Sequence, residues 1–146
     1  MSALVYGHDD TCLAWLYQRW GGDIGRVPQL VIGITDAGGV LHGAIPLWQE
    51  NAWTWEMGLY SEGVVSPRIT REFFAVAFWN LGAHRLQMKT EKSNKRMCRL
   101  APKLGWTYEG TAKDYYGTGQ HAVCFGMTPH TCRWIKRHEI IQAAQV

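Results

Sequence analysis

Residues 81–109, LGAHRLQMKTEKSNKRMCRLAPKLGWTYE, have types and spacing suited to holding an anion. The stretch reads as a short strand, a tight turn carrying Asn94, a basic helix with Arg96, Arg99 and Lys103, and a Leu104-Gly105-Trp106 break into another strand. N–H groups at a helix start have no partner within the helix, and the helix dipole favours negative charge there. A cation-rich turn at such a start is a natural seat for a phosphate. His121, Cys124, His130 and Cys132 also bring ligating types together. Their spacing matches no zinc motif, and they divide between a strand and a helix, so no metal is expected.

These residues need a scaffold, and the composition describes one. The chain has 146 residues, 47% hydrophobic and 18% charged, as expected of one folded domain spanning 1–146. The net charge of +3 suits an anionic small ligand and does not by itself demand nucleic acid. Four scattered cysteines with no CxxC pair read as free thiols, and the opening MSALVYGHDD has neither a basic n-region nor a long apolar run. The expected location is the cytoplasm, with no membrane contact. Eight tryptophans are a surplus that leaves a homodimer interface open.

The positioning elements follow from periodicity. Leu13, Leu16, Tyr17 and Trp20 recur at helical spacing over 8–20, with Asp9 and Asp10 as caps. The glycine-rich run 21–25 breaks that helix. Residues 30–35 and 40–48 form a hairpin around Asp36-Ala37-Gly38-Gly39. A third strand at 51–59 alternates, putting Trp53 and Trp55 on a core face and Glu56 on the other. Ser66-Pro67 opens a helix that runs to about Leu81. A strand at 84–90 and a helix at 94–104 follow, with Pro102 expected to weaken or kink its last turn. Strands at 107–111 and 121–127 come next, and Thr128-Pro129 opens a closing helix. The fold class is therefore α+β: a central, mostly antiparallel mixed sheet flanked by helices on both faces, with a right-handed crossover through the long helix.

The element order and the 81–110 stretch resemble the GNAT family of acyl-CoA N-acyltransferases. In that family the final CoA-contacting segment runs from a strand to an Asn, a basic helix, and a Leu-Gly-Phe step into Glu-Gly. Here those features are Asn94, Arg96, Arg99, Lys103, Leu104-Gly105-Trp106 and Glu109-Gly110. The resemblance covers roughly 30–135. It is nearest the branch of ribosomal-protein alanine acetyltransferases, and the closing MTPHTCRWI is similar to small acetyltransferase-like proteins of phages and prophages. Three departures stand out. One glycine, Gly63, occupies the loop where the family has a glycine-rich pyrophosphate wrap. Ala101 stands where a tyrosine general acid is common, and Met97 where a serine is common.

The resemblance implies acetyl-CoA as the acyl donor, no metal, and direct attack of a primary amine on the thioester, with a backbone amide holding the oxyanion. Glu56 is the first candidate base and His42 the second. Asn94 is a turn residue or N-cap that also contacts ligand or a catalytic water. Tyr115 or Tyr116 is the candidate replacement acid, one of the pair facing inward in the core. Donor contacts fall to Gly63, Val65, Ser66, Arg68, Thr70 and Arg71 at the long helix's start, and to Asn94, Arg96 and Arg99. The amine acceptor is undefined. Two further readings remain: a phage enzyme of this fold acting on a modified base or an aminoacyl-tRNA, for which the basic Arg133, Lys136, Arg137 and His138 speak, and a GNAT-fold binding or virion protein without chemistry.

Overall fold

The computed structural model of the chain describes residues 2–21, 25–63 and 65–136. Among these residues the fold is α+β, as expected: three α helices and eight strands in a mixed, mostly antiparallel sheet. The chain divides into two compact units, Met1–Phe73 and Phe74–Val146.

The first unit carries β1 (Ala3–Val5), α1 (Asp9–Trp20), β2 (Leu30–Thr35), β3 (Leu41–Gln49), β4 (Thr54–Met57) and β5 (Tyr60–Ser61), and α2 (Pro67–Ala75) begins in it. Its strands lie in the order β1-β2-β3-β4, with β5 also paired to β3. The β2–β3 turn forms as its sequence dictates. Asp36 Oδ1 accepts from the N–H groups of Gly38 and Val40, and Gly39 supplies a φ of 79°. Core packing runs from Cys12, Trp15 and Leu16 on α1 to Val31 and Ala44 on the strands. The buried face of α1 is thus turned from the expected 13/16/17/20 stripe, and Trp20 is exposed. Gly33 explains the turn: a Cβ there would stand 2.7 Å from Cys12 Sγ, so the bare backbone admits Cys12 against the sheet. Asp9 does not cap α1. The N-cap is His8, and Asp9 Oδ2 accepts from Val31 N–H at 2.8 Å, fastening the helix to β2.

The third expected strand is broken. Asn51 Oδ1 accepts from both Trp53 and Thr54 N–H groups, an Asx turn that holds Trp53 outside the strand and 59% exposed. Trp53 is therefore not a core residue, whereas Trp55 is buried. Chain leaves β4 at Gly58 and pairs again as β5.

The second unit holds a π-helical turn, Val76–Asn80, then β6 (Arg85–Glu91), α3 (Lys95–Lys103), β7 (Thr107–Gly117) and β8 (Gln120–Met127). The strands lie in the order β6-β8-β7, antiparallel throughout. Leu86, Met88, Ala101, Trp106, Phe125 and Met127 are core residues, and Phe74 meets Trp106 at 5.9 Å between centroids. Helix α3 accommodates Pro102 in its last turn. It ends in a Schellman pattern, Gly105 N–H to Pro102 O and Trp106 N–H to Ala101 O, with Gly105 at φ 99°.

Two expectations fail in this unit. Strand β7 runs to Gly117, six residues past its expected end, and both Tyr115 and Tyr116 are exposed on it. The register slips between Ala112 and Gly117, and Asp114 takes a left-handed φ of 55°. Alternation therefore does not turn either ring inward; they meet edge to face at 4.9 Å. Secondly, residues 128–136 form turns, not the start of a helix. Thr128 and Thr131 bond each other's backbone and close the chain locally. Arg133 then donates to Lys103 O, and Trp134 Nε1 to Leu104 O at 2.8 Å, capping α3. Arg137 and His138 lie outside the described residues.

Candidate active site

In the first unit, Glu56 sits on β4 directly opposite Trp48 of β3. Its side chain is 15% exposed, and Arg26 approaches Oε2 at 3.7 Å. His42 lies six residues back along β3, where the β2–β3 register slips by one. At about 3.4 Å per residue the two candidate bases stand roughly 20 Å apart along the strand, so they are alternatives and not a relay. His42 Nε2 contacts Ser2 Oγ at 3.3 Å, and Gly63 passes close to the ring: a Cβ at Gly63 would fall 3.7 Å from Nδ1. Gly63 is held by Ser61, whose hydroxyl donates to Gly63 O at 2.9 Å.

Ser66 caps α2 as its sequence dictates, its Oγ accepting from Ile69 N–H at 3.2 Å. Thr70 spends its hydroxyl proton on Ser66 O at 3.0 Å, which leaves oxygen lone pairs but no proton for an anion. Arg68 turns to the N-terminal strand, donating to Ser2 O and pairing with Glu72 at 3.9 Å. Arg71 is exposed, and Val65 is half-buried.

In the second unit, Asn94 is the N-cap of α3 and its Oδ1 accepts from Met97 N–H at 3.1 Å. Ser93 O takes the Lys95 N–H at 2.9 Å, so two of the first-turn donors are already used inside the turn. Arg96 and Arg99 are exposed on the helix they share with Lys95 and Lys103. What this helix offers an anion is chiefly side-chain charge added to its dipole. Ala101 is fully buried, so the position where a family tyrosine would act is filled by core. Tyr116 stands at the β7–β8 hairpin tip. His121 joins that tip to the Asn94 turn: its carbonyl accepts from Lys92 N–H at 2.9 Å, and its Nδ1 from Asp114 N–H at 2.9 Å.

Sequence reasoning missed two residues. Arg26 lies in a glycine-rich stretch with no periodic signal, yet it engages Glu50 and Glu56 together. Arg85 grips Glu109 with both guanidinium nitrogens, at 2.8 and 2.5 Å, which gives the Glu-Gly pair a structural task. Among the described residues no group of three or more His, Cys, Asp or Glu could hold a metal ion.

No protein-family model matches the chain, and no curated protein matches it in sequence. Solved structures do match. A spermidine N-acetyltransferase from Vibrio cholerae superposes with a TM-score of 0.74 at 13% identity, over 94% of this chain and 98% of that one. A ribosomal-protein-S5-alanine acetyltransferase from Vibrio fischeri gives 0.59 at 15%, over 73% and 64%. A GNAT-family acetyltransferase from Bacillus anthracis gives 0.57 at 16%; the match spans 67% of this chain and 65% of that one. At these identities the likeness is one of architecture: the chain has the fold of the GNAT acetyltransferases.

Proposed function

We propose that the protein is an acetyl-CoA-dependent N-acetyltransferase, a single domain that moves an acetyl group onto a primary amine. The observation that carries this reading is the near full-length match to an N-acetyltransferase fold. The N-capped basic helix, present at the place where the sequence resembles the CoA-contacting segment, supports it. Arg96 and Arg99 on α3 supply charge for the donor's phosphates. Glu56, half-buried on its strand, takes the proton of the incoming ammonium directly or through water, with His42 as the alternative base. A backbone amide holds the oxyanion. Since Ala101 is core, the departing thiolate takes its proton from Tyr116 or from solvent.

The acceptor class is an amine, and spermidine is the first to test, given the named activity of the Vibrio cholerae protein. A place beside the ribosomal-protein alanine acetyltransferases, a phage or prophage source and a cytoplasmic site of action complete the reading. No helix among the described residues is long and apolar enough to cross a membrane. Calorimetry with acetyl-CoA tests the donor. Binding at micromolar to sub-millimolar levels is expected, and no heat at millimolar acetyl-CoA overturns it.

A second reading keeps the fold and changes the acceptor to a nucleic acid. The exposed Tyr115 and Tyr116, with Lys89 over the Tyr115 ring at 5.6 Å, form the aromatic-and-basic surface that stacks bases. Salt-sensitive binding of single-stranded RNA or DNA would favour it.

A further inference from the structure

The mild net charge of +3 conceals two opposite halves. Residues 74–146 hold 11 Lys and Arg against 4 Asp and Glu, a formal +7, whereas residues 1–73 hold 4 against 8, a formal −4. The first unit neutralises its own cations: Arg19 pairs with Glu62, Arg26 with Glu50 and Arg68 with Glu72. The second does not. Its Glu109 is taken by Arg85, and its Asp114 carboxylate accepts from Gly119 N–H inside the hairpin at 2.8 Å. Exposed Lys92, Lys95, Arg96 and Lys113 have no ion-pair partner among the described residues. Lys95 and Arg96 stand in the first turn of α3, which has no acidic residue, so their charge opposes the helix dipole. Charge kept where it weakens the fold points to an anion from outside.

These cations gather at one end of the sheet. Lys92 N–H bonds His121 O, and the N–H of Asp114, next to Lys113, bonds His121 Nδ1, both at 2.9 Å. The Asn94 turn and the β7–β8 tip thus flank His121. The same tip leaves Tyr115 54% and Tyr116 46% exposed. Their rings meet at 87°, so the faces look in different directions, and Lys89 stands over Tyr115 at 5.6 Å. Bringing both rings to the surface takes the slip between Ala112 and Gly117 and the left-handed Asp114, a conformation that side chains resist.

We propose that the hairpin tip and the Asn94 turn together form a binding surface for a single-stranded polynucleotide. This rests on the nucleic-acid reading for the class of partner only, since the strand is held here whether or not it is acetylated. A small anion meets one or two of these cations, whereas a chain of phosphates meets all four. Rings of different orientation offer stacking to unpaired bases, each of which has a flat face. A duplex hides those faces, and an acidic protein would use the charge and leave the rings idle. Phosphates and base faces are common to RNA and DNA, so both bind.

The test is fluorescence anisotropy of a labelled strand of about 20 nucleotides, RNA or DNA, with the whole protein and no acetyl-CoA, which also draws on Arg96. The two strands should bind within about threefold of each other, and the matching duplex about tenfold more weakly. Four phosphate contacts should weaken binding about fiftyfold between about 50 and 200 mM salt. Lys92→Gln with Lys113→Gln should roughly halve the salt slope. Tyr115→Ala with Tyr116→Ala should weaken binding about tenfold or more at an unchanged slope, and Tyr115→Phe with Tyr116→Phe should keep it. If the alanine pair unfolds the tip, the lysine pair still reads the surface through its slope. No binding by the wild type at low salt overturns this proposal and the nucleic-acid reading together. Binding without acetyl transfer to the strand removes that reading and leaves the surface standing. Binding that both the lysine and the alanine pairs leave unchanged overturns the surface alone. Equal affinity for inorganic polyphosphate of similar length overturns the polynucleotide as its occupant.

Discussion

Arg85 on β6 and Glu109 on β7 join hands across the strand between them. Their carboxylate–guanidinium fork lies over Gly126 of β8, the residue opposite both Gln87 and Thr107, and a Cβ there would collide with the Glu109 carboxylate. The fork ties three strands with one pair because the middle position has no side chain.

Acid should expose this pair. The hydrogen bond from Arg85 holds the Glu109 carboxyl below its ordinary value, with Arg85's charge helping and burial opposing. A carboxyl lowered on folding stabilises the fold at pH above its unfolded value, about 4.3, and that contribution is lost as pH falls through the folded value. Urea midpoints stepped from neutral pH into that acid range should therefore fall more steeply in the wild type than in Arg85→Gln. Parallel curves would show that the fork contributes nothing.

Close approach of α1 to β2 predicts a costly Gly33→Ala. Its methyl would meet Cys12 Sγ at 2.7 Å and Leu41 Cδ2 at 2.8 Å, both inside a packed core. A loss of roughly 1–3 kcal/mol is expected in urea denaturation. Adding Cys12→Ala should return part of it, since the double mutant removes one of the two colliding atoms.

The four thiols should separate by rate. Burial raises the pKa of Cys12, with the Asp9 charge adding to it, and burial likewise raises that of Cys132. A raised thiol offers less thiolate at neutral pH, and both side chains are shielded. With a disulfide reagent on the native protein, the half-buried Cys98 and Cys124 should react first and the other two only as the fold opens. Mass spectrometry of partly labelled protein identifies them.

Asn94 can be divided into its two jobs. Asn94→Ala removes the acceptor for Met97 N–H and should cost about 1 kcal/mol of stability. Asn94→Ser keeps a capping oxygen and should restore that loss. If Asn94 also contacts donor or water, Asn94→Ser will still bind or turn over acetyl-CoA less well. Full recovery of both properties would make it a cap only.

Elements with a complete local signal were legible in the sequence. The β2–β3 hairpin has its Asp36–Gly39 turn, α2 its Ser66-Pro67 start and α3 both its Asn94 cap and its Gly105 stop. Strands β1 and β5, three and two residues long, are too short to show a period. Trp53 misled because alternation continued through an Asx turn that only Asn51 announces. Tyr115 and Tyr116 misled because a register slip breaks the link between alternation and burial. Glu56 could be placed on its face from sequence, but nothing links it to Arg26, 30 residues earlier and in another element.

The strap on α3 sets an order of events in time. Arg133 and Trp134 follow the carbonyls they cap by 30 residues. At roughly 5–20 residues per second of synthesis, that separation is a delay of about 2–6 s. During it the helix has its own Asn94 and Gly105 signals at its two ends and nothing from the strap. A nascent chain halted within that window would display the basic helix with its far end still open to water. The strap would then act as a latch, closing a helix already made.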